Sequence, residues 1–296
     1  MITLAHISDI HLSPLPAMGF SDLLGKRLTG YLNWKLKRHD ELNSETLARL
    51  VAHMREQRAD FTAVTGDLVN LALRSEMVRA NSWLEALGDS ERIAVCPGNH
   101  DAYVPGALAQ AQESWGPYLK GETLEGQAFP FVRRLDELAI ISCSSAVPML
   151  PFIAAGRFEE KQAARLARML KLLGDAGYFR VVMIHHPPNA ELQHPAFGLR
   201  GHRLFRQVVA ENGAEMILHG HTHRSSIHHI PGKAHEVPVI GVAAASAAQG
   251  GTLDDPARYN LFRIERNGGG WTCTMREFGF QRLGSDIVMR MQMRIY

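Results

Sequence analysis

The chain has 296 residues, 46% of them hydrophobic, and its formal net charge is +2. This length and apolar content suffice for the buried core of one large α/β domain. The small net charge excludes a general electrostatic attraction to nucleic acid polymers or to anionic membranes.

Apolar, strand-like runs alternate with segments of helical periodicity along most of the chain. The predicted strands include Ile2–Ile7, Phe61–Thr65, Ile93–Cys96, Tyr178–Ile184 and Glu215–Leu218, and a hairpin is predicted at Phe131–Leu135 and Leu138–Ser142. The predicted helices include Asn43–Gln57, Arg74–Leu87, Val104–Trp115, Arg157–Leu173 and Leu199–Asn212. Such alternation is typical of βαβ units, in which helices join neighbouring strands.

The segment Leu12–Asp40 interrupts this alternation. It mixes lysine and arginine with leucine and aromatic residues, and we predict a helical insertion at about 12–40, close to the strand end at Asp9. Two interpretations remain open. The insertion packs on the body with a solvated basic face, or it forms a cap that meets substrate phosphate or a membrane surface.

A second segment, Leu138–Gly156, contains no charged residue. Pro148, Pro151 and three serines interrupt it. A membrane-spanning helix needs about 20 predominantly apolar residues, so we predict no transmembrane segment. We expect a core strand followed by an apolar loop, Ser144–Gly156. That loop either packs or forms a subunit interface, or it forms a hydrophobic rim for an adenine ring or an acyl chain.

The C-terminal part is predicted to be rich in strands. A hairpin is expected at about 258–278, with a flexible turn at Asn267–Gly270. We assign residues 1–283 to one domain that includes the insertion and this hairpin, and residues 284–296 to a C-terminal tail. The tail is apolar and basic, and we predict that it forms a terminal helix or an oligomer contact, with a homodimer as one alternative.

Each of the five strands named above is followed by a loop that carries histidine, aspartate or asparagine. Such loops converge at the carboxyl ends of strands in open α/β sheets. A mixture of imidazole and oxygen ligands suits Mn, Fe or Zn, whereas Mg and Ca prefer more oxygen. Seven side chains exceed the needs of one ion, so we predict two ions about 3.5–4 Å apart that share one carboxylate. The predicted ligands are Asp9, His11, Asp67, Asn99, His185, His221 and His223.

The order of these loops resembles that of the calcineurin-like metallophosphoesterase superfamily, and the resemblance extends from Ile2 to Arg224. Any one of the motifs is weak evidence, but the ordered set is specific. The set is most similar to class III cyclic-nucleotide phosphodiesterases and related bacterial phosphodiesterases. The motifs are Asp9-Ile10-His11, Gly66-Asp67, Gly98-Asn99-His100-Asp101, His185-His186-Pro187-Pro188 and Gly220-His221-Thr222-His223.

Together, the alternation and the resemblance imply an α/β (α+β) fold, a four-layer αββα sandwich. Two mixed β-sheets would pack face to face with helices on both outer sides, and the dinuclear site would lie where strands end. The resemblance also implies a ligand set for each ion. One ion would take Asp9, His11 and His223, the other would take Asn99, His185 and His221, and Asp67 would bridge them. A hydroxide between the ions would then attack phosphorus in line.

His100 and Asp67 are the predicted catalytic residues. By resemblance, His100 faces the substrate as a general acid or as a charge stabiliser. Related phosphatases often have an aspartate three residues after the bridging aspartate, and this chain has Asn70 there. An amide can orient an imidazole but cannot stabilise its positive charge, which puts the general-acid role in doubt. Asp101 and His186 are predicted to lie beside the ligands, with His186 bonding a ligand or a carbonyl group.

Three functions are compatible with these residues. The leading hypothesis is a dinuclear metal-dependent phosphodiesterase acting on cyclic nucleotides or similar small diesters. The second is a phosphomonoesterase or a pyrophosphatase acting on a nucleotide-linked lipid, suggested by the insertion and the apolar loop. The third is an inactive phosphoesterase-like scaffold that binds partners, and the complete set of seven candidate ligands argues against it.

The cysteines Cys96, Cys143 and Cys273 are odd in number and lie in apolar runs. Buried, reduced thiols fit these positions.

No signal peptide is visible, so we expect a cytoplasmic protein. The expected partner is the small substrate, with no nucleic acid polymer, and peripheral contact with a membrane is left open.

Overall fold

The computed structural model describes residues 1–23, 25–35, 43–248, 255–281 and 286–296. Within these ranges the chain forms fifteen strands and six α-helices. The strands are β1 (Ile2–Ile7), β2 (Phe61–Val64), β3 (Ile93–Val95), β4 (Glu122–Thr123), β5 (Phe131–Leu135), β6 (Leu138–Ser142), β7 (Gly156–Arg157), β8 (Phe179–Met183), β9 (Leu199–Arg200), β10 (Met216–His219), β11 (Ser226–Ile230), β12 (Val237–Gly241), β13 (Arg258–Asn267), β14 (Gly270–Phe280) and β15 (Ile287–Arg294). The helices are α1 (Lys26–Asn33), α2 (Ser44–Glu56), α3 (Arg74–Leu87), α4 (Ala107–Ser114), α5 (Glu160–Asp175) and α6 (His202–Asn212).

Two mixed β-sheets form the centre of the fold. The first has the order β15-β14-β13-β1-β2-β3, and the second has the order β11-β12-β10-β8-β6-β5-β4. Strands β1, β2 and β3 are parallel to one another, as are β6, β8, β10 and β12. The predicted pair of mixed sheets flanked by helices is confirmed.

The sheets pack together because successive side chains of a strand point to opposite faces. On β8, Phe179, Val181 and Met183 belong to the core shared with the first sheet. Val182, between them, packs with Leu166 of α5 and Phe205 of α6 on the outer face. The second sheet is therefore buried on both faces, which explains the continuous apolar runs of its parallel strands.

The predicted terminal helix within 284–296 is wrong. Residues Ile287–Arg294 form β15, which pairs antiparallel with β14. Ile287 and Met291 pack against the core, Met289 is exposed, and a β-bulge shifts the register opposite Glu277 and Phe278. Apolar residues at every second position have the period of a strand rather than of a helix.

The insertion is helical only in part. Between Leu12 and the helix α1, the described chain contains one short 3-10 turn at Phe20–Leu23. Pro14 and Pro16 disfavour a longer helix there, because proline lacks the backbone N–H that an α-helix uses. Residue 24 and residues 36–42 of the predicted insertion lie outside the described residues.

The predicted hairpins occur where they were expected. Strands β5 and β6 turn at Asp136 and Glu137, and β13 and β14 turn at Gly268 and Gly269. Both glycines have positive φ, of 57° and 91°, which the tight connection requires. Among the described residues, no helix combines the length and the apolarity that crossing a membrane requires.

Candidate metal centre

Five loops meet where parallel strands of both sheets end. Strands β1, β2 and β3 belong to the first sheet, and β8 and β10 belong to the second. The meeting point therefore lies across the ends of the two packed sheets, and residues far apart in sequence become neighbours there. The loops carry Asp9 and His11 after β1, Asp67 after β2, Asn99 after β3, His185 after β8, and His221 and His223 after β10.

One group of candidate ligands surrounds Asp9. His223 Nε2 lies 3.3 Å from Asp9 Oδ1, and His11 Nε2 lies 3.9 Å from the same oxygen. Ligand atoms of Asp9, His11 and His223 all lie within 4.8 Å of one another. These are the three residues expected on the first ion.

Asp67 lies between this group and a second one. Its Oδ2 lies 3.8 Å from His11 Nε2 on one side and 3.3 Å from His185 Nε2 on the other. In the second group, Asn99 Oδ1 and His221 Nδ1 are 3.0 Å apart, and the His185 and His221 rings lie 5.2 Å apart. The structure thus brings all seven predicted ligands together, with Asp67 between the two groups.

Backbone carbonyl groups orient three of the imidazoles. His11 Nδ1 donates to Val69 O at 3.2 Å, and His185 Nδ1 donates to Thr65 O at 2.6 Å. In both rings, Nε2 then faces the carboxylates. His221 is turned the other way, since its Nε2 donates to Phe197 O at 2.8 Å and its Nδ1 faces Asn99. Fixing one ring nitrogen in this way prepares the other to bind a metal ion.

The ligand loops have an uncommon backbone conformation. Five of the seven candidate ligands have positive φ, which residues other than glycine rarely adopt. The φ values are 52° for Asp9, 40° for His11, 55° for Asp67, 67° for His221 and 54° for His223. Sparsely populated backbone conformations cluster at functional sites, where the surrounding structure maintains them.

Two glycines allow the loops to come this close. A Cβ atom on Gly220 would lie 1.9 Å from Ser8 Oγ and 2.5 Å from Asp9 Oδ2. A Cβ atom on Gly98 would lie 2.1 Å from Asp67 Oδ1. Neither position has room for a side chain, so the close approach of the loops requires glycine at both Gly98 and Gly220.

Asp101 holds two of the loops together and does not face the ligands. Its carboxylate accepts hydrogen bonds from the backbone N–H groups of Asp67, Leu68, Val69 and Gly98, at 2.8–3.3 Å. Burial and the negative charge of Asp67 raise the pKa of Asp101, while these N–H donors oppose the rise by favouring the charged form. Asp101 thus fixes the backbone on which Asp67 and Asn99 stand.

Asn70 contacts His100 through its main chain rather than its side chain. His100 Nδ1 donates to Asn70 O at 2.5 Å, while the Asn70 side chain donates to Leu12 O. The predicted orientation of His100 by this residue therefore uses a carbonyl group that any amino acid would provide.

Glu76, which was not predicted, shapes the same loop. This buried carboxylate accepts hydrogen bonds from the backbone N–H groups of Asn70, Leu71 and Leu73, and burial raises its pKa. An acidic residue in the first turn of α3 was the sequence signal for a capping interaction.

Both ring nitrogens of His186 contact groups outside the ligand cluster. Its Nδ1 lies 2.7 Å from the Ser145 hydroxyl, and its Nε2 donates to Ala154 O at 2.9 Å. The structure therefore favours His185 as the ligand of the pair, in line with the sequence resemblance. His186 instead joins the ligand loop after β8 to the apolar loop Ser144–Gly156.

His100 lies at the side of the cluster. Its backbone N–H donates to Asp67 Oδ1, and its ring packs edge-on against His11 at a centroid distance of 4.9 Å. His100, His221 and His223 are half-buried, whereas Asp9, His11, Asp67 and His185 are almost fully buried. The side of the cluster that solvent reaches is therefore the side of these three imidazoles.

The electrostatics of the cluster favour added positive charge. Burial lowers the pKa of His185, but the negative charges of Asp67 and Asp9 and the hydrogen bonds to Asp67 and Thr65 together outweigh this effect and raise the pKa to about 9. Burial raises the pKa of Asp9, but the positive charges of His223 and His185 and the hydrogen bond from His223 together outweigh burial and hold the pKa below its ordinary value. The carboxylates thus stay charged even though they are buried, which requires cations beside them.

The side chains fit the binding of metal ions. Asp9 Oδ1 and His185 Nε2 are buried and, among the described residues, make no well-aligned hydrogen bond. Burial lowers the pKa of His221 to about 3, so its ring is neutral and its bare Nδ1 faces the oxygen of Asn99. Two lone pairs that face each other at 3.0 Å repel unless a cation lies between or beside them.

A sequence model of the calcineurin-like phosphoesterase family matches residues 2–225. The chain belongs to this family. The matched region begins at β1 and ends two residues after His223, so it contains every loop of the cluster. Family membership and the Asp/His cluster together support a metal-dependent phosphoric ester hydrolase with a dinuclear site.

Solved structures with the same fold include other phosphoesterases. The phosphoesterase described here is similar to a dimetal phosphatase from Danio rerio, with 13% identity, a TM-score of 0.62, and coverage of 97% of this chain and 98% of that one. It is also similar to the purple acid phosphatase PPD1 from yellow lupin (Lupinus luteus), with 11% identity, a TM-score of 0.55, and coverage of 94% and 51%. Similarities at this level of identity show the fold alone. A comparison with curated protein sequences gave no match.

Proposed function

We propose that this phosphoesterase hydrolyses a small phosphodiester, with cyclic nucleotides as the first candidates. The observation that carries the proposal is the convergence of seven ligand side chains from five loops, with Asp67 between the two groups. The preference for a diester rests on the likeness of the motifs to those of class III phosphodiesterases.

Each group of side chains has a distinct task in this proposal. Asp9, His11 and His223 would hold one cation, Asn99, His185 and His221 would hold the other, and Asp67 would bridge them. When bound, two such cations lower the pKa of a coordinated water and offset the negative charge of the phosphate. We propose Mn, Fe or Zn, because the set combines imidazole nitrogen with only two carboxylates.

His100 would act on the leaving group. Its Nδ1–H is held by Asn70 O, so in the neutral ring Nε2 is the nitrogen that remains able to exchange a proton. Because the partner of Nδ1 is a carbonyl group rather than a carboxylate, this contact orients the ring without adding a negative charge beside it. His100 would therefore contribute most by placing a proton or a hydrogen bond at the departing oxygen.

The test is hydrolysis of bis(p-nitrophenyl) phosphate, 3′,5′-cyclic AMP and p-nitrophenyl phosphate by protein loaded with Mn²⁺. We expect turnover of the diesters to exceed turnover of the monoester, and Asn99→Ala and His221→Ala to abolish most of it. Metal analysis of the same samples should give about two ions per chain. Equal rates in wild type and variants would reject the assigned site, and a preference for the monoester would reject the substrate class.

A second candidate is a phosphoester attached to an apolar group, such as a nucleotide-linked lipid. Leu150, Phe152 and Phe197 are 72%, 80% and 50% exposed. They lie on two loops that are joined by the hydrogen bond from Ala154 N to Ala196 O. The same loops contact His186 and His221 through the carbonyl groups of Ala154 and Phe197. The exposed apolar side chains are thus carried by loops that contact the cluster directly.

Variants of this apolar rim separate the two candidates. Phe152→Ser and Leu150→Ser remove apolar surface without touching the ligands. We expect them to raise KM for a diester or pyrophosphate that carries a long acyl chain and to leave bis(p-nitrophenyl) phosphate unaffected. An unchanged KM for the acylated substrate would reject the lipid-linked candidate.

We also propose that the protein functions in the cytoplasm. Cys96, Cys143 and Cys273 are buried free thiols, which suits a reducing compartment.

We further propose that the protein can form a homodimer and can contact a membrane peripherally. Sedimentation of the purified protein, alone and with anionic vesicles, tests both.

A further inference from the structure

The helix α1 is attached to the loops of the metal centre from outside. Arg27 donates to the carbonyl groups of Leu71 and Ala72, at 3.1 and 2.6 Å. These carbonyl groups follow directly after Asn70, whose own carbonyl orients His100. The described part of the insertion is therefore hydrogen-bonded to the loop that orients His100, the residue proposed to act on the leaving group.

Tyr103 fills the space between α1 and His100. The Tyr103 and His100 rings are stacked, with an interplanar angle of 10° and a centroid distance of 5.5 Å. On α1, Lys26 Nζ lies 4.1 Å from the centroid of the Tyr103 ring. Tyr103 is only 9% exposed, so its ring has little freedom to turn away from His100.

Close packing at Gly30 fixes the Tyr103 ring further. A Cβ atom on Gly30 would lie 2.3 Å from the Tyr103 hydroxyl oxygen and 2.7 Å from Leu71 Cδ2. The helix backbone thus lies directly against the tyrosine. Glycine is less favourable than alanine inside a helix, and the contact with Tyr103 explains why no side chain is present at this position.

We infer that Tyr103 is a positioning residue for His100, and that α1 holds it through Gly30 and Lys26. This inference rests on the proposed function, in which His100 assists departure of the leaving group. His100 Nδ1 donates to the Asn70 carbonyl group, and a hydrogen bond at one ring nitrogen does not by itself fix the tilt of the ring. The stacked Tyr103 ring restricts this tilt and keeps Nε2 directed at the departing oxygen.

The dependence of kcat on the leaving group distinguishes a positioning role of Tyr103 from a purely structural role. A p-nitrophenolate departs without protonation, whereas a phenolate of higher pKa gains more from a proton donor. We compare methyl p-nitrophenyl phosphate with methyl phenyl phosphate as substrates of the Mn²⁺-loaded enzyme. For Tyr103→Leu we expect kcat on the phenyl ester to fall about 10–100-fold, with kcat on the nitrophenyl ester and both KM values within about 2-fold. Tyr103→Phe, which keeps the ring, should restore the wild-type ratio.

Two more variants test the contribution of α1. Gly30→Ala keeps Tyr103 but displaces it, and it should reproduce the selective loss on the phenyl ester. Lys26→Met should produce a smaller loss in the same direction. The matched control is Arg49→Met on α2, which removes a cation 5.1 Å from the Phe280 ring and should change neither ester.

A spectroscopic measurement keeps the inference testable apart from activity. In metal-free protein, the Nδ1–H proton of His100 should give a downfield NMR signal protected from exchange. We expect Tyr103→Leu to broaden or shift this signal and Tyr103→Phe to preserve it. If wild type hydrolyses neither ester, the proposed function fails while the NMR result still decides the positioning role. An unchanged signal in Tyr103→Leu, or an equal loss on both esters, would overturn the inference.

Discussion

Replacement of Asp101 by asparagine should damage both the fold and the metal centre. Each Asp101 oxygen accepts two backbone N–H groups, Oδ2 from Asp67 and Gly98, and Oδ1 from Leu68 and Val69. An asparagine keeps one oxygen and turns an NH₂ group toward the other two donors. Leaving a buried donor without an acceptor costs about 1–3 kcal/mol, so we expect a loss of about 2–6 kcal/mol.

Two measurements separate the effect of the substitution on folding stability from its effect on metal binding. Denaturant unfolding in the presence of a chelator measures the stability of the metal-free protein, and metal analysis after reloading measures the site. Glu215→Gln is the matched control, because Glu215 is also a buried carboxylate that accepts a backbone N–H, from Arg180, and pairs with the Arg180 guanidinium. Both variants should be destabilised, and only Asp101→Asn should lose bound metal. An unfolding free energy of Asp101→Asn within about 0.5 kcal/mol of wild type would refute the reasoning.

Three further predictions follow from the packing and charge of the same region. Gly220→Ala should reduce metal content and turnover sharply, because its Cβ atom would overlap Ser8 Oγ and Asp9 Oδ2. Metal analysis and the diesterase assay check this, and a fully loaded variant would contradict it. Addition of Mn²⁺ at a hundredfold excess over its Kd should stabilise the wild type by about 3 kcal/mol. Asp67→Asn should lack this gain in thermal unfolding, and an equal gain in the variant would argue against Asp67 as a bridging ligand. Burial is the main cause that lowers the pKa of His6 to about 3, below the unfolded value of 6.5, so His6 contributes stability above pH 6.5 that is lost on acidification. Between pH 7 and 4.5, His6→Gln should therefore lose about 3 kcal/mol less than wild type in urea unfolding, and equal losses would exclude His6 as the cause.

The sequence was most informative about residues that directly follow strands. Asp9, Asp67 and Asn99 come two to four residues after the end of a short apolar strand, and parallel strands bring their carboxyl ends to one edge. Their convergence therefore follows from local patterns combined with one rule of topology. The ordered set of motifs added the pairing of ligands into two groups, which spacing alone would not provide.

Residues that act through the backbone of another loop were harder to predict. Asp101 was placed beside the ligands, but its bonds to N–H groups more than thirty residues away depend on the final approach of the loops. Tyr103 carries no sequence signal that links it to Gly30, because that contact exists only once α1 has docked. The tail is a different case, since the alternation of Ile287, Met289 and Met291 was visible and the period-2 pattern was missed.

The candidate centre combines features that each lower the stability of the metal-free protein. Buried carboxylates lie among imidazoles, five ligands have positive φ, and glycines occupy the positions where the loops approach each other too closely for a side chain. The compensating interactions are backbone hydrogen bonds, from N–H groups to Asp101 and Glu76 and from imidazoles to carbonyl groups. These bonds use atoms other than those that would bind metal, so they orient the ligands independently of the ions. Binding energy is then available to stabilise the charged site rather than to order its loops, which is the physical reason to expect tight metal binding here.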